Sequence, residues 1–162
     1  MTTDFVIDIE KGRIGESIFR NDFLDFLNIE YTNVTGCQQF QVIDADYITK
    51  IGLCEVKNNY KDNCMLIFED YTNINTELSP RSLGWVYKTK ADLIVFVSQK
   101  TRDMILLPFS DNFKAHYSFI RKNTELVKNR ISVGSNGNKW QSAFRRVPFN
   151  LLNGYISEYK KL

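Results

Sequence analysis

Four ionisable residues crowd one short stretch of this chain. Residues 41–58 read QVIDADYITKIGLCEVKN, and Asp44, Asp46, Glu55 and Lys57 interrupt expected strands otherwise rich in Val, Ile, Tyr, Leu and Cys. A carboxylate on one strand followed by Glu-x-Lys on the next suits phosphodiester cleavage. The carboxylates can share a hard cation, and the lysine can meet charge on phosphate oxygens. Side chains alternate across a strand, so Glu55 and Lys57 share a face and Val56 takes the other. Asp44 and Asp46 likewise share a face. A turn centred on Lys50 and Ile51 sets Asp46 opposite Glu55 and Asp44 opposite Lys57. Facing Cβ atoms in such a pair lie about 4.5–5.5 Å apart. Two carboxylates so placed repel, and one keeps its proton unless a cation relieves the repulsion. Mg²⁺ is the expected ion, with Mn²⁺ able to substitute. A plain hairpin face with cross-strand ion pairs would show the same letters, and such pairs contribute little at a surface. The apolar strands around this hairpin argue for a central position, where acids and a lysine need a reason.

The elements that must position these residues can be read in order. A helix is expected over residues 14–27, with Ile14, Ile18, Phe19, Phe23, Phe26 and Leu27 at three- and four-residue spacing. Glu16 falls on its first turn, where an acid also suits the helix dipole or a pair with Arg20. The hairpin is expected from about Phe40 to Val56, with a short strand over 65–69. Residues 91–97, ADLIVFV, form an unbroken apolar run that suits a strand buried on both faces. A further strand ends near Pro108, a helix is expected over 111–128, and Pro148 can start a last helix. Tyr71, Trp85 and Tyr87 could stack on bases, although such aromatics more often pack. This order of elements suggests an α/β domain with a mixed central β-sheet flanked by helices.

Glu16, Asp46 and Glu55-Val56-Lys57, in that order, resemble the PD-(D/E)XK nuclease superfamily. The pattern is most similar to its Holliday junction resolvase and phage nuclease branches. Ala45, not Pro, precedes Asp46. The segment from Gly84-Trp85 to Ala91-Asp92 also looks like phage and bacterial members. The resemblance implies a restriction-endonuclease-like fold and a Mg²⁺-dependent deoxyribonuclease, structure-specific if the resolvase branch is the nearer one. It implies Glu16, Asp46, Glu55 and Lys57 as catalytic residues. It implies Asp46, Glu55 and the Val56 carbonyl as metal ligands, with Glu16 as a further candidate. A resolvase would be a symmetric homodimer. The other class to weigh is a non-catalytic DNA-binding or protein-interaction module on the same fold.

Composition bounds these readings. The 162 residues suit one domain spanning 1–162, and 43% hydrophobic content suits a globular chain. No apolar run approaches the ~18–20 residues needed to cross a bilayer, and no secretory signal opens the sequence. Cys37, Cys54 and Cys64 form no C-x-x-C pair, so free thiols in a reducing cytoplasm are expected, the bacterial host's if the protein is phage-encoded. His116 is the only histidine. A multi-histidine zinc site or a Ser-His-Asp triad is therefore excluded or strained, and a metal must rely on carboxylates. The net charge of +2 is unevenly spread. Residues 1–110 carry 11 Lys/Arg against 16 Asp/Glu, and residues 111–162 carry 10 against 3. The basic last third, expected to be helical from about residue 111, suggests a DNA-binding face with Lys122, Lys128, Arg145 and Arg146.

Overall fold

The apolar run becomes β6 (Leu93–Val97), every residue of it buried. In the computed structural model, which describes residues 3–58, 65–134 and 136–160, this strand is the centre of a six-stranded mixed sheet. The other strands are β1 (Tyr31–Asn33), β2 (Tyr47–Thr49), β3 (Gly52–Lys57), β7 (Met104–Pro108) and β12 (Ser157–Tyr159), in the order β1-β2-β3-β6-β7-β12. β3 and β6 run parallel, with Glu55 beside Ile94 and Lys57 beside Phe96. The remaining pairs are antiparallel. The β2–β3 turn falls at Lys50 and Ile51, with Tyr47 opposite Cys54 and Thr49 opposite Gly52. Gly52 is required there. Its φ is +114°, and a Cβ would lie 2.6 Å from an Asp92 carboxylate oxygen. That same oxygen accepts the Leu53 N–H at 2.8 Å, which anchors the start of β3.

One face of this sheet is covered by α1 (Thr3–Phe19), which starts well before the expected residue 14. Ile18, Phe19, Phe23 and Leu24 pack on Tyr47, Cys54, Val56, Leu93, Val95 and Val97. The helix does not continue regularly to residue 27. Arg20–Leu24 form a π turn, closed by Asp25 N–H to the Arg20 carbonyl at 2.8 Å. The wider turn shifts the phase of the residues that follow. Phe26 and Leu27, expected in the core stripe, are therefore 56% and 45% exposed, and Ile14 is 43% exposed.

The other face meets a second sheet. It has the order β5-β4-β11-β8, built from β4 (Met65–Asn73), β5 (Ser82–Leu83), β8 (Leu126–Lys128) and β11 (Ala143–Pro148), while β9 (Ser132–Val133) and β10 (Lys139–Trp140) pair with each other. A one-turn helix, α3 (Trp85–Lys88), and α4 (Asp111–Asn123) join it. Leu66, Phe68, Trp85, Phe96, Leu107, Phe113, Tyr117 and Val147 form the core between them. The last third is therefore not the helical part expected. α4 ends at Asn123 instead of 128, and Pro148 opens only a 3₁₀ turn, Phe149–Leu152, before β12. Arg145 explains the early end of α4. Its guanidinium donates to the carbonyls of Arg121 and Thr124, satisfying the helix C-terminus from a neighbouring strand.

Candidate active site

β3 carries Glu55 and Lys57 on the face away from α1, since Cys54 and Val56 take the α1 face. Both side chains are held in. Glu55 is 6% exposed, and the Lys57 ammonium contacts its carboxylate. The same ammonium lies 5.3 Å from the centre of the Trp85 ring, a cation–π contact.

Asp46 reaches the site by ending a strand. The expected hairpin forms, but it does not begin near Phe40. Residues Gln38–Gln41 form a short helix, α2, and β2 begins only at Tyr47. At the break, the Asp46 N–H donates to the Cys54 carbonyl at 2.9 Å. Its carboxylate accepts the Val56 N–H at 2.8 Å, doing for β3 what a backbone carbonyl of β2 would otherwise do. Asp46 is thereby fixed against the residue between Glu55 and Lys57.

Asp44 arrives by another route than a strand. It lies in the turn after α2 at φ +47°, a left-handed conformation that Asp tolerates. The expected strand pairing of Asp44 with Lys57 is therefore wrong. The turn is pinned by Thr89 Oγ1 to the Asp44 carbonyl at 3.1 Å and by Lys90 N–H to the Ile43 carbonyl at 2.9 Å. The Asp44 charge nonetheless acts on Glu55, Lys57 and Glu69. Its Oδ2 is buried without a hydrogen-bond partner.

Glu16 comes from α1. Its carboxylate accepts from Thr35 Oγ1 at 3.1 Å, and its backbone carbonyl accepts from Tyr47 OH at 3.1 Å. The tyrosine thus ties α1 to the first residue of β2.

These groups perturb one another. Burial pushes Glu55 up to about 7; Lys57 opposes the rise, and Asp46 and Asp44 add to it. Burial also raises Asp46, against the Val56 amide, with Glu16 adding to the rise. The Asp46 charge in turn adds to the rise at Glu55, so the two carboxyl groups influence each other's ionisation. Glu16 is raised by burial and by Glu55, against the Thr35 hydrogen bond. For Lys57, burial disfavours the charge, but Glu55, Asp44 and Asp46 outweigh it and its pKa rises. The four candidate residues on three elements therefore form one electrostatic unit.

Glu69 on β4 belongs to the same unit and escaped the sequence reading. Burial raises it; Lys57, Lys88 and a hydrogen bond from the Trp85 N–H pull it down. The contact is close because Gly84 allows it: a Cβ there would lie 2.0 Å from the Glu69 carbonyl oxygen. The signal was present in the sequence. Glu69 follows Met65-Leu66-Ile67-Phe68 much as Glu55 follows Leu53 and Cys54.

The donor set fits a hard divalent cation. Asp46 and Glu55 offer carboxylate oxygens whose proton affinities are raised chiefly by burial. Among the described residues, no three His, Cys, Asp or Glu side chains form a ready metal cage. A cation here would fill its remaining positions with backbone, water or phosphate oxygen, as Mg²⁺ commonly does.

The four residues expected to contact DNA part company. Lys122, Lys128 and Arg146 are exposed. Arg145 is buried, with Nε 2.8 Å from the Asp70 carboxylate. Its guanidinium is used up by Asp70 and the end of α4, so it is withdrawn from the DNA-facing set.

No protein-family model, curated protein or solved structure matches this chain. No helix among the described residues is long and apolar enough to cross a membrane.

Proposed function

We propose that this protein is a Mg²⁺-dependent deoxyribonuclease of the PD-(D/E)XK kind, on a restriction-endonuclease-like fold. One observation carries the reading. Glu16, Asp46, Glu55 and Lys57 come from α1, the start of β2 and β3, with the Asp46 carboxylate accepting the Val56 N–H between Glu55 and Lys57 and the Lys57 ammonium on the Glu55 carboxylate. Asp46 and Glu55 would hold the cation with the Val56 carbonyl, and Glu16 would stand next to them. A bound Mg²⁺ would supply Lewis-acid polarisation of the scissile phosphate and a more acidic water. The protein's own part begins with Lys57. Its ammonium, held by Glu55 and the Trp85 face, would orient the attacking water or meet charge on a phosphate oxygen. Asp46, braced by the Val56 amide, would keep its carboxylate aimed across β3. Glu55 would give up its proton only near neutral pH or on cation binding. Exposed bases such as Lys122, Lys128 and Arg146 would neutralise further phosphates.

The test is cleavage of supercoiled plasmid, linear duplex and a four-way junction, with Mg²⁺ or with chelator. Cation-dependent scission of any of them supports the reading. Preference for the junction, with a dimer in solution, would place the protein with the resolvases.

A second reading is favoured by one contact. Lys57 and Glu55 already neutralise each other, as a structural ion pair in a non-catalytic DNA- or protein-binding module would. Thermal melting separates the two. A cation site raises Tm on Mn²⁺ or Mg²⁺ titration, because the ion binds the native state. A structural pair gives no such specific shift.

A further inference from the structure

α3 is one turn long and faces two ways. Trp85 and Val86 are buried, with Trp85 against Lys57, whereas Tyr87 is 38% exposed on the far side. Of the aromatics that the sequence offered for stacking, Trp85 and Tyr71 are 5% and 9% exposed, so Tyr87 alone presents a ring to solvent. Cations frame that ring. The Arg121 guanidinium lies 5.7 Å from its centre, and Arg81 lies 4.4 Å from the neighbouring Tyr71 ring. Beside Tyr87, between α3 and α4, opens a cavity of about 210 Å³ lined by Val86, Tyr87, Thr89, Lys90, Phe109, Lys114 and Tyr117. Tyr87, Phe109 and Tyr117 give it aromatic walls beside polar ones, and Lys90 and Lys114 stand exposed at its edge, Lys114 with Asp111 at 3.3 Å. Tyr87 itself is held by a ring contact with Tyr117 at 6.3 Å, and Tyr117 OH donates to the buried Asp70 at 2.5 Å.

An exposed aromatic ring, a small recess with aromatic walls and polar groups, and flanking ammonium and guanidinium groups suit a planar base with its phosphates. The recess suits one unstacked unit and not the width of a duplex. We propose that this cavity is a nucleotide subsite, taking an unpaired base of a nucleic-acid strand against Tyr87 with its phosphate near Lys90 and Lys114. Single-strand binding by aromatic stacking and basic neutralisation follows the same physics. The proposal rests on the nuclease reading for its biological setting, since α3 also carries the Trp85 that touches Lys57. A helical turn rises about 5.4 Å, so both ends of α3 fall within a short stretch of one strand.

The test is fluorescence anisotropy in chelator, where no cleavage can occur. The probes are a labelled 12-nucleotide deoxythymidine oligomer and a perfect 12-base-pair duplex. Tyr87→Ala should weaken oligomer binding about tenfold, within the range that loss of one stacked base produces, and leave duplex binding unchanged. Tyr87→Phe should retain binding, because a phenyl ring still stacks. Lys90→Ala with Lys114→Ala should weaken binding and flatten its salt dependence. Unchanged melting of Tyr87→Ala shows that the fold is intact. Wild-type oligomer affinity in Tyr87→Ala, or equal loss for oligomer and duplex, overturns the subsite. The nuclease reading fails separately: Tyr87-dependent oligomer binding without cation-dependent cleavage keeps the subsite and removes the catalysis.

Discussion

Glu55 is a carboxylate kept against its own preference. Its affinity for a proton is raised by burial to a pKa of about 7, against an ordinary 4.5. The native state therefore binds this proton more tightly than the unfolded chain does. Stability is greatest below about pH 4.5 from this group and falls as pH rises towards 7, after which it is flat. A shift of this size is linked to up to roughly 3 kcal/mol. In chelator, the free energy of unfolding should fall between pH 5 and pH 8, and Glu55→Gln should flatten that fall. Added Mn²⁺ should act in the opposite sense, stabilising more at pH 8 than at pH 5, because ligands must lose protons to bind metal. Denaturant unfolding at the two pH values checks both signs. A stability that rises with pH in chelator, and does so through Glu55, would contradict the burial described.

At the scale of elements, one carboxylate ends a strand. Asp46 accepts the Val56 N–H, so Asp46→Ala leaves a part-buried amide without its partner and should cost about 1–3 kcal/mol. Asp46→Asn keeps an acceptor oxygen and should melt near wild type, yet lose the Mn²⁺-induced rise in Tm. Asp44→Asn should keep that rise, since its carboxylate lies in the turn before the strand. A second device sits in the other sheet. Arg145→Met would leave the buried Asp70 with Tyr117 and a distant Arg121 (3.9 Å), and would uncap α4. A loss of about 3 kcal/mol is expected, a fall in Tm on the order of 10 °C. These cases also show what the sequence could convey. Parity placed Glu55 and Lys57 on one face, a local property of strands, and the assumed turn at Lys50 and Ile51 is the one observed. Parity did not reveal that β2 begins only at Tyr47. That depends on Thr89 and Lys90, over forty residues away, holding the Asp44 turn in place. The overlong stripe to Leu27 failed for a similar reason, since nothing local announces a π turn.

For the whole molecule, the mixed sheet was legible from the all-apolar β6 and the flanking periodicities. The second sheet was not, because β5 and β8 are short and β8 and β11 lie where basic residues imitate a helical surface. The charge split predicted a basic last third, but burial divides it. Lys122, Lys128 and Arg146 remain exposed. Replacing these three by Glu should weaken DNA binding and reduce the dependence of log K on log salt by up to about 0.9 per lost contact, with Tm unchanged. Anisotropy at several salt concentrations measures the slope, and an unchanged slope would place these residues away from DNA. The most direct measurement concerns Lys57 itself: single-turnover cleavage in Mg²⁺ by wild type and by Lys57→Ala, each shown by melting to be folded. Wild type should cut with Mg²⁺ and not in chelator, and Lys57→Ala should be slower by about 10²–10³-fold, the scale of losing one group that stabilises transition-state charge. Wild-type cleavage by a folded Lys57→Ala protein, or no cation-dependent cleavage by the wild type, would contradict the proposed role of this site.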